Sequence, residues 1–458
     1  MKVNTHRALL IYIISICCFS CSPKFTPIIN NGAPNTSFAH PSWCEQSNIY
    51  EVNLRQYTSS GTFKEFEKSL PRLKEMGVEI LWFMPITPIG IEGRKMTSSD
   101  LGSYYAVSNY TEVNPEFGTM DDWKELVKQS HSMGFKVITD WVPNHTSPDN
   151  PWIKNHPDFY KRDKNGNTVY DADYTDTRNL NYENKELRDS MISAMKFWVN
   201  ETGIDGFRCD HVDPLPLDFW KQCITELRKI KNVFMLAESE KPEFHNAGFD
   251  ATYGWKEMWT TVEVAQGKRS LKYMDSVLNH SIAVFPKNAY RMFFTTNHDE
   301  NSWNGTEFEK YGDAYKVFAV FTQTFYQSIP LIYNGQEIPN KKRLKFFVKD
   351  PIVWDKYEMA PFYSTLLHLR EHNPALAANA GYERLSTAND DAIFAFVRQN
   401  KKNKVAVILN LSGQPQNFTI KENLIYGKAT NVFSGSKEKL NKAHVYSMEP
   451  WGYLVYEY

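Results

Sequence analysis

Amphipathic helical segments alternate with short apolar runs along most of the chain, and three of the junctions carry a glycine. These junctions are Met76-Gly77-Val78, Met133-Gly134-Phe135 and Thr202-Gly203-Ile204. Glycine tolerates the left-handed backbone conformation that ends many helices. The apolar run after each glycine has the length and the residue types of a strand. A repeat of helix, glycine and strand predicts βα units around a parallel sheet.

Eight apolar runs are candidates for the strands of this sheet. Eight βα units spread over about three hundred residues are typical of a (β/α)8 TIM barrel with insertions, an α/β fold. An open doubly wound sheet is the alternative, but no G-x-G-x-x-G segment follows the first strand. The eight runs are Ile49–Leu54, Val78–Met84, Phe135–Val142, Ile204–Cys209, Val233–Ala237, Gly248–Tyr253, Arg291–Thr296 and Ile329–Tyr333.

Two regions depart from this repeat. The segment of approximately residues 146–182 is polar and rich in turn residues. It is too long for an ordinary loop, so we predict a small subdomain inserted after strand 3. Near the C-terminus, Ile393–Val397 and Val405–Leu409 flank a polar turn and predict a hairpin. We therefore predict a barrel domain over residues 41–376 and a C-terminal antiparallel β-sandwich domain over residues 377–458.

Residues 1–20 have the pattern of an export signal. Two basic residues precede the apolar run Ala8–Phe19, which is shorter than the ~20 residues of a membrane-spanning helix. The segment Cys18–Ser22 is similar to a bacterial lipoprotein signal with Cys21 lipidated, and ordinary signal-peptide cleavage is the alternative. Residues 21–40 predict a flexible tether. We expect an exported protein that is lipid-anchored in the periplasm or at the cell surface, or else secreted.

The composition narrows the classes of function. With 458 residues, 42% of them hydrophobic and 14% aromatic, the chain is globular and long enough to bury a large core. Its 52 basic and 53 acidic residues give a net charge of −1, so no basic excess indicates nucleic acid as a partner. The cysteines outside the signal, Cys21, Cys44, Cys209 and Cys223, are too few and too widely spaced for a disulfide scaffold or a zinc site.

Polar residues stand at the predicted C-terminal ends of four strands, which in a barrel face one mouth. A half-buried ionised carboxylate is costly unless it is paired or used, so four of them at one mouth predict a catalytic site. Paired carboxylates suit glycoside cleavage, because one protonates the departing oxygen and the other meets the cation-like sugar carbon. The residues are Asp140 and His145 after strand 3, Arg208 and Asp210 after strand 4, Glu238 after strand 5, and His298 and Asp299 after strand 7.

The segments at these strand ends resemble the signature sequences of the α-amylase family, glycoside hydrolase family 13. The resemblance extends from about residue 50 to the end of the chain. It implies a retaining hydrolase that cleaves α-glucosidic bonds, mainly α-1,4, in starch-derived glucans or maltooligosaccharides through a covalent glycosyl-enzyme. The segments are Asp140–His145, Gly206–Asp210, the surroundings of Glu238 and Thr296–Asp299, with Leu81–Ile86 and Ile329–Glu337 in agreement.

The resemblance also implies a role for each residue. Asp210 would be the nucleophile, Glu238 the general acid and then the base, and Asp299 an ionised carboxylate that holds sugar hydroxyls. Arg208 would keep Asp210 ionised, and neighbouring acids would keep Glu238 protonated. Among the other substrate-binding residues, His145 and His298 would donate hydrogen bonds to the reacting glucose, and Asp140 would orient its neighbours. Tyr105 would be the platform on which that sugar stacks, with Tyr104 as the alternative.

The sequence departs from the family directly after the nucleophile. Many α-amylases carry there a Lys-His pair that serves the next sugar and a structural calcium, whereas this chain has Asp213 and Pro214. Cleavage of an acetal requires no cofactor. Calcium is left open, with Asn144 and Asp176 as candidate ligands.

Two further functions stay open on the sequence. One is a transglycosylase or isomerase acting on small α-glucosides. The other is a catalytically inactive glycan-binding lipoprotein, although the presence of Asp210, Glu238 and Asp299 argues against it. The expected partners are an α-glucan or maltooligosaccharide and, if Cys21 is lipidated, a membrane.

Overall fold

Eight parallel strands form a nearly closed barrel in the computed structural model, which describes residues 36, 38–95 and 100–458. The strand order is β8-β1-β2-β3-β4-β5-β6-β7, so strands adjacent in the chain are adjacent in the sheet. Hydrogen bonds such as that from Leu331 N to Phe293 O (2.9 Å) join β7 to β8 and close the barrel. The strands are β1 Ile49–Val52, β2 Ile80–Phe83, β3 Lys136–Trp141, β4 Gly206–Cys209, β5 Phe234–Ala237, β6 Ala251–Tyr253, β7 Tyr290–Met292 and β8 Leu331–Tyr333.

The predicted TIM barrel is therefore confirmed, and the open sheet is wrong. Each observed strand lies within or at the edge of its predicted apolar run. The strands are buried at nearly every position, which explains why they appear as continuous apolar runs rather than as alternating patterns. Gly206 starts β4 where a side chain would collide with the carbonyl oxygen of Phe234 on β5, so this position requires glycine.

Helices surround the barrel and end as the sequence predicts. Gly77 and Gly203 follow their helices with φ of 94° and 72°. Thr119 and Asp122 form a capping box at the start of the helix before β3. The α-helices are Leu54–Tyr57, Phe63–Glu67, Leu70–Met76, Met120–Ser132, Trp152–Asn155, Lys185–Thr202, Leu217–Arg228, Glu243–Ala247, Trp255–Ala265, Leu271–Val284, Glu307–Tyr311, Tyr315–Thr324 and Ala360–His372, and a π-helix spans Glu300–Asn304.

The chain leaves the barrel after β3 and returns in the helix that starts at Lys185. This insertion holds an antiparallel pair of short strands, His145–Thr146 with Arg178–Asn179, and the helical turn Trp152–Asn155. The predicted signal peptide and the lipidation candidate Cys21 lie outside the described residues. Within the described part of the chain, no helix combines the length and the apolar character needed to cross a membrane.

Antiparallel strands form the C-terminal region. Six of them pair in the order β9-β10-β11-β16-β13-β14, and β12 pairs with β15. The predicted hairpin is β10 with β11. The strand Lys437–Leu440 has a single apolar residue, so the apolar pattern does not reveal it. The strands are β9 Gly381–Leu385, β10 Ile393–Asn400, β11 Asn403–Asn410, β12 Gln416–Phe418, β13 Gly427–Asn431, β14 Lys437–Leu440, β15 Tyr446–Met448 and β16 Tyr453–Glu457.

Arg398 on β10 joins this sheet to the barrel. Its guanidinium is fully buried and donates to the carbonyl oxygens of Thr324 (3.0 Å) and Phe325 (2.6 Å), at the C-terminus of a barrel helix. It also donates to Ala377 O (2.6 Å) and Ala380 O (3.3 Å) in the connecting segment. Burial lowers its pKa to about 9, so the group stays cationic at neutral pH and complements the negative end of the helix dipole.

We expect Arg398→Met to lower the free energy of unfolding by about 3 kcal/mol or more, because several buried carbonyls would lose their donor. Urea denaturation followed by fluorescence measures the change. Lys402→Met, in the exposed turn of the same hairpin, is the matched control and should unfold like the parent protein. Equal midpoints for both variants would contradict the role given to Arg398.

Candidate active site

Arg208 lies at the centre of the barrel mouth and is fully buried. Its Nη1 donates to Asp140 Oδ1 (2.9 Å) and to Asp210 Oδ1 (2.9 Å), and its Nη2 lies 3.0 Å from Glu238 Oε1. Asp140 is opposite Arg208 in the register of β3 and β4, and Asp210 follows two residues later on the same side of the chain. One guanidinium thus contacts carboxylates from the ends of three successive strands.

His298 connects the fourth acid to this group. Its Nε2 lies 3.2 Å from Asp299 Oδ2 and 2.7 Å from Tyr105 Oη, and its Nδ1 donates to Glu51 Oε1 at 2.5 Å. Burial opposes a charge on the ring, but Asp299 and Glu51 raise the pKa of His298 well above its ordinary value. The imidazolium in turn keeps the pKa of Asp299 low against the effect of burial, so this carboxylate is ionised.

Burial raises the pKa of the Glu238 and Asp210 carboxyls to different values. For Glu238 the pKa rises to about 7, with Arg208 opposing burial and the charges of Asp210 and Asp299 adding to it. For Asp210 the pKa rises to about 6, again against the effect of Arg208. Between these values Glu238 carries a proton while Asp210 is ionised, which is the division of roles that the sequence implies.

The turn after β4 aims a backbone amide at Glu238. His211 has φ of 42°, in the left-handed region that a non-glycine residue seldom adopts, and its N–H donates to Glu238 Oε2 at 2.8 Å. Strain of this kind persists where the surroundings enforce it, and it is frequent at functional sites. The bond fixes the direction of one oxygen of Glu238, while Arg208 holds the other.

Tyr105, rather than Tyr104, reaches the acids. The Tyr105 ring stacks beside His298, with centroids 5.7 Å apart and planes inclined by 27°, and its hydroxyl donates to Asp140 Oδ2 at 3.3 Å. Tyr104 is buried and donates to Asn53 Oδ1 at 2.9 Å. The geometry thus separates two neighbours that the sequence left as alternatives.

His145 lies at the start of the insertion and contacts backbone instead of the acids. Its Nε2 is 3.2 Å from the carbonyl oxygen of Tyr105, so a proton on this nitrogen is donated there. Burial lowers its pKa to about 4, and the ring is neutral at ordinary pH. In this arrangement His145 supports the loop that carries the Tyr105 platform.

The two candidate calcium ligands do not contact each other. Asn144 Nδ2 donates to Asp171 Oδ2 (3.2 Å), and Asp171 Oδ1 accepts from Asn179 (2.8 Å), whose own side-chain oxygen is buried without a hydrogen-bond partner. The backbone of Asp176 packs closely against Gly93. Among the described residues no group of three or more His, Cys, Asp or Glu side chains is arranged to hold a metal. The acid that contacts the Asn144 side chain is Asp171.

Three residues of the site were missed from the sequence. Glu51 on β1 holds His298, the Trp82 ring on β2 lies 5.3 Å from the Arg208 guanidinium, and Tyr253 on β6 accepts from Arg208 Nε at 3.0 Å. All three lie in the C-terminal part of a barrel strand, where the rule that found the acids also applies. Each stands inside an apolar run, however, and so resembles core.

Comparison with known proteins points to one family. The profile described as "Alpha amylase, catalytic domain" matches residues 40–165 and 163–360. Alpha-amylase 2 of Dictyoglomus thermophilum is 25% identical over 445 residues, which cover 87% of this chain and 74% of that protein. An alpha-1,4-glucan:maltose-1-phosphate maltosyltransferase of Picrophilus torridus is 25% identical, and the match covers 81% of this chain and 62% of that protein.

A solved structure has the same overall arrangement. The noncanonic maltogenic alpha-amylase AmyB of Thermotoga neapolitana superposes with a TM-score of 0.79 at 28% identity. The match covers 90% of this chain and 96% of that one. The similarity therefore extends over the barrel and beyond it.

We expect the rate of the catalysed reaction to depend on pH as a narrow bell. The rate rises as Asp210 ionises with a pKa of about 6, and it falls as Glu238 loses its proton with a pKa of about 7. Values of kcat/KM measured from acidic to alkaline pH give both limbs of the bell. The two apparent pKa values belong to the coupled pair of carboxyls rather than to either residue alone. Thermal unfolding in the same buffers is the control. A flat rate through neutral pH would contradict this assignment.

Replacement of Glu51 by glutamine removes the negative charge that helps to keep His298 cationic. We expect kcat/KM to fall by about 10- to 100-fold, as is common when the partner that orients a functional group is lost, and the loss should grow as the pH rises. Glu79→Gln, which alters a half-buried glutamate just before β2 at the opposite end of the barrel, should retain the parent profile. A pH-independent loss in the Glu51 variant would indicate that the residue only supports packing.

Proposed function

Since this chain belongs to the alpha-amylase family, we propose that it is a retaining glycoside hydrolase that cleaves α-glucosidic bonds, mainly α-1,4, in starch-derived glucans or maltooligosaccharides. The observation that carries this proposal is the contact of one buried guanidinium with Asp140, Asp210 and Glu238. This contact holds Asp210 and Glu238 side by side, and burial raises the pKa of Glu238 above that of Asp210, which gives the pair of an ionised and a protonated carboxyl that retaining cleavage uses.

In the proposed reaction Asp210 attacks the anomeric carbon while Glu238 gives its proton to the departing glycosidic oxygen. The bond between carbon and oxygen breaks, and a glycosyl ester of Asp210 forms. Glu238, now ionised, takes a proton from water, and the hydroxide that forms attacks the same carbon and releases Asp210. Asp299 and His298 bind sugar hydroxyls and, with the other carboxylates, stabilise the cation-like transition state.

Transfer to another sugar instead of water is the second candidate function. It is supported by the similarity to an alpha-1,4-glucan:maltose-1-phosphate maltosyltransferase. A glycosyl ester on Asp210 offers the same carbon to a sugar hydroxyl as to water. The acceptor that resolves the glycosyl ester distinguishes the two functions. The glycan-binding alternative receives less support, because Asp210, Glu238 and Asp299 are all present at the mouth.

We also propose export through residues 1–20, with lipid attachment at Cys21. Anchoring would keep the barrel near a membrane without a spanning helix. No cofactor is needed for the reaction. If calcium binds, the sequence candidates Asn144 and Asp176, together with Asp171 and Asn179 near Asn144, offer the oxygen ligands that it prefers. Its part would be to fix the insertion on the barrel.

We expect residues 22–458 to release short α-glucosides from maltooligosaccharides, and Asp210→Asn to lower the rate by about a thousandfold or more. Chromatography of products from maltooligosaccharides, pullulan, isomaltose and sucrose, with added calcium and with a chelator, measures the rate and the linkage preference. Asp218→Asn, at an exposed carboxylate a few residues further on, is the matched control and should be fully active. Longer products than the substrate would favour transfer, and binding without any product would contradict the hydrolase.

A further inference from the structure

Trp303 presents a large exposed ring beside the catalytic mouth. Its side chain is 54% exposed although it lies only four residues after Asp299, on the π-helix Glu300–Asn304. π-helical turns interrupt regular helices at an energetic cost and are frequent at functional sites. None of the reaction steps proposed above uses this ring.

The Trp303 ring continues the aromatic surface that begins at the reacting carboxyls. The ring of Phe346, on the loop after β8, has its centroid 5.4 Å from that of Trp303. On its other side the Phe346 ring stacks with Tyr105, with centroids 6.3 Å apart and planes inclined by only 15°. Phe347 meets Trp303 edge-on at 6.1 Å. We call Trp303, Phe346 and Phe347 the aromatic wall. Two ring-to-ring steps lead along it from Tyr105 outward.

The aromatic wall is held rigidly by polar contacts between its two loops. Ser302 Oγ donates to Leu344 O (2.8 Å), and Leu344 N donates to Asn301 Oδ1 (2.8 Å). Leu344 is itself buried in a small apolar cluster with Tyr333 at the end of β8. The rings are therefore positioned before any ligand arrives, which reduces the entropy lost on binding.

The backbone of the wall is also fixed from the barrel side. Arg55 Nη1 donates to Phe346 O (3.2 Å), and Gln56 Nε2 donates to Val348 O (2.8 Å). Leu101 N donates to Phe347 O at 2.9 Å. Elements that follow β1, β2, β7 and β8 thus converge on one exposed apolar surface.

We propose that the aromatic wall is a binding subsite for a glucose unit beyond the reacting one, with Trp303 stacking on the apolar face of that sugar. The proposal rests on the proposed function, since it takes the occupant to be the continuing chain of the α-glucan. Continuity with the Tyr105 platform identifies this occupant, because a chain that leaves the platform meets Phe346 and Trp303 next. The subsite makes chain length a determinant of affinity while leaving the bond-breaking groups untouched.

The test compares Trp303→Ala and Trp303→Phe on substrates of different length. For maltoheptaose, kcat/KM of Trp303→Ala should fall by about 3- to 10-fold, the size of one aromatic stacking contact, mainly through KM. For the shortest maltooligosaccharide that the parent protein cleaves, kcat/KM should change less than about twofold, since this substrate does not reach the wall. Trp303→Phe should recover most of the loss.

Two controls make the outcome decisive. Trp259→Ala removes another exposed ring, on the helix Trp255–Ala265, and should leave both substrates unaffected. Calorimetric titration of maltoheptaose into Glu238→Gln, with and without Trp303→Ala, should give the same ratio of Kd values without turnover. Equal losses on short and long substrates, or no loss on either, would overturn the subsite. Absence of products from the parent protein would instead contradict the proposed function.

Discussion

The ion pairing of Arg208 is the interaction on which the mouth of the barrel depends. Removing a charge from water costs several kcal/mol even after relaxation, and carboxylates brought together also repel each other. Asp140, Asp210 and Glu238 tolerate this because they share one buried cation. The register of β3, β4 and β5 sets Asp140 level with Arg208 and brings Asp210 and Glu238 just beyond that level, so the electrostatics follow from the pairing of the strands.

Burial raises the pKa of every acid in the mouth, and the nearest cations oppose this effect to different extents. Asp299 has the imidazolium of His298 close to it, and its pKa is lowered. Asp210 shares Arg208 with Asp140, and Glu238 shares it with both, so burial prevails and their pKa values rise. Two cations distributed unequally over four carboxylates are sufficient to create a base, an acid and a fixed negative charge.

The barrel and the reacting acids were predictable from the sequence for physical reasons. Strands buried on both faces leave continuous apolar runs, and catalytic groups follow them at the strand ends, so position along the chain carries the information. The contact between Asp171 and Asn144 was not predictable, because loop geometry determines which residues meet within an irregular insertion. The left-handed turn at His211 and the exposed position of Trp303 likewise have no periodic signature.

The bond between Glu51 and His298 joins residues that are 247 positions apart in the chain and lie at the first and the seventh strand. Because the chain is synthesised from its N-terminus, Asp210 and Glu238 are made long before His298, which completes the charged cluster at the mouth. The mouth of the barrel is therefore complete only when its last quarter, from β7 onward, has been made and has closed on β1, so the cluster of charges forms together with the barrel rather than before it.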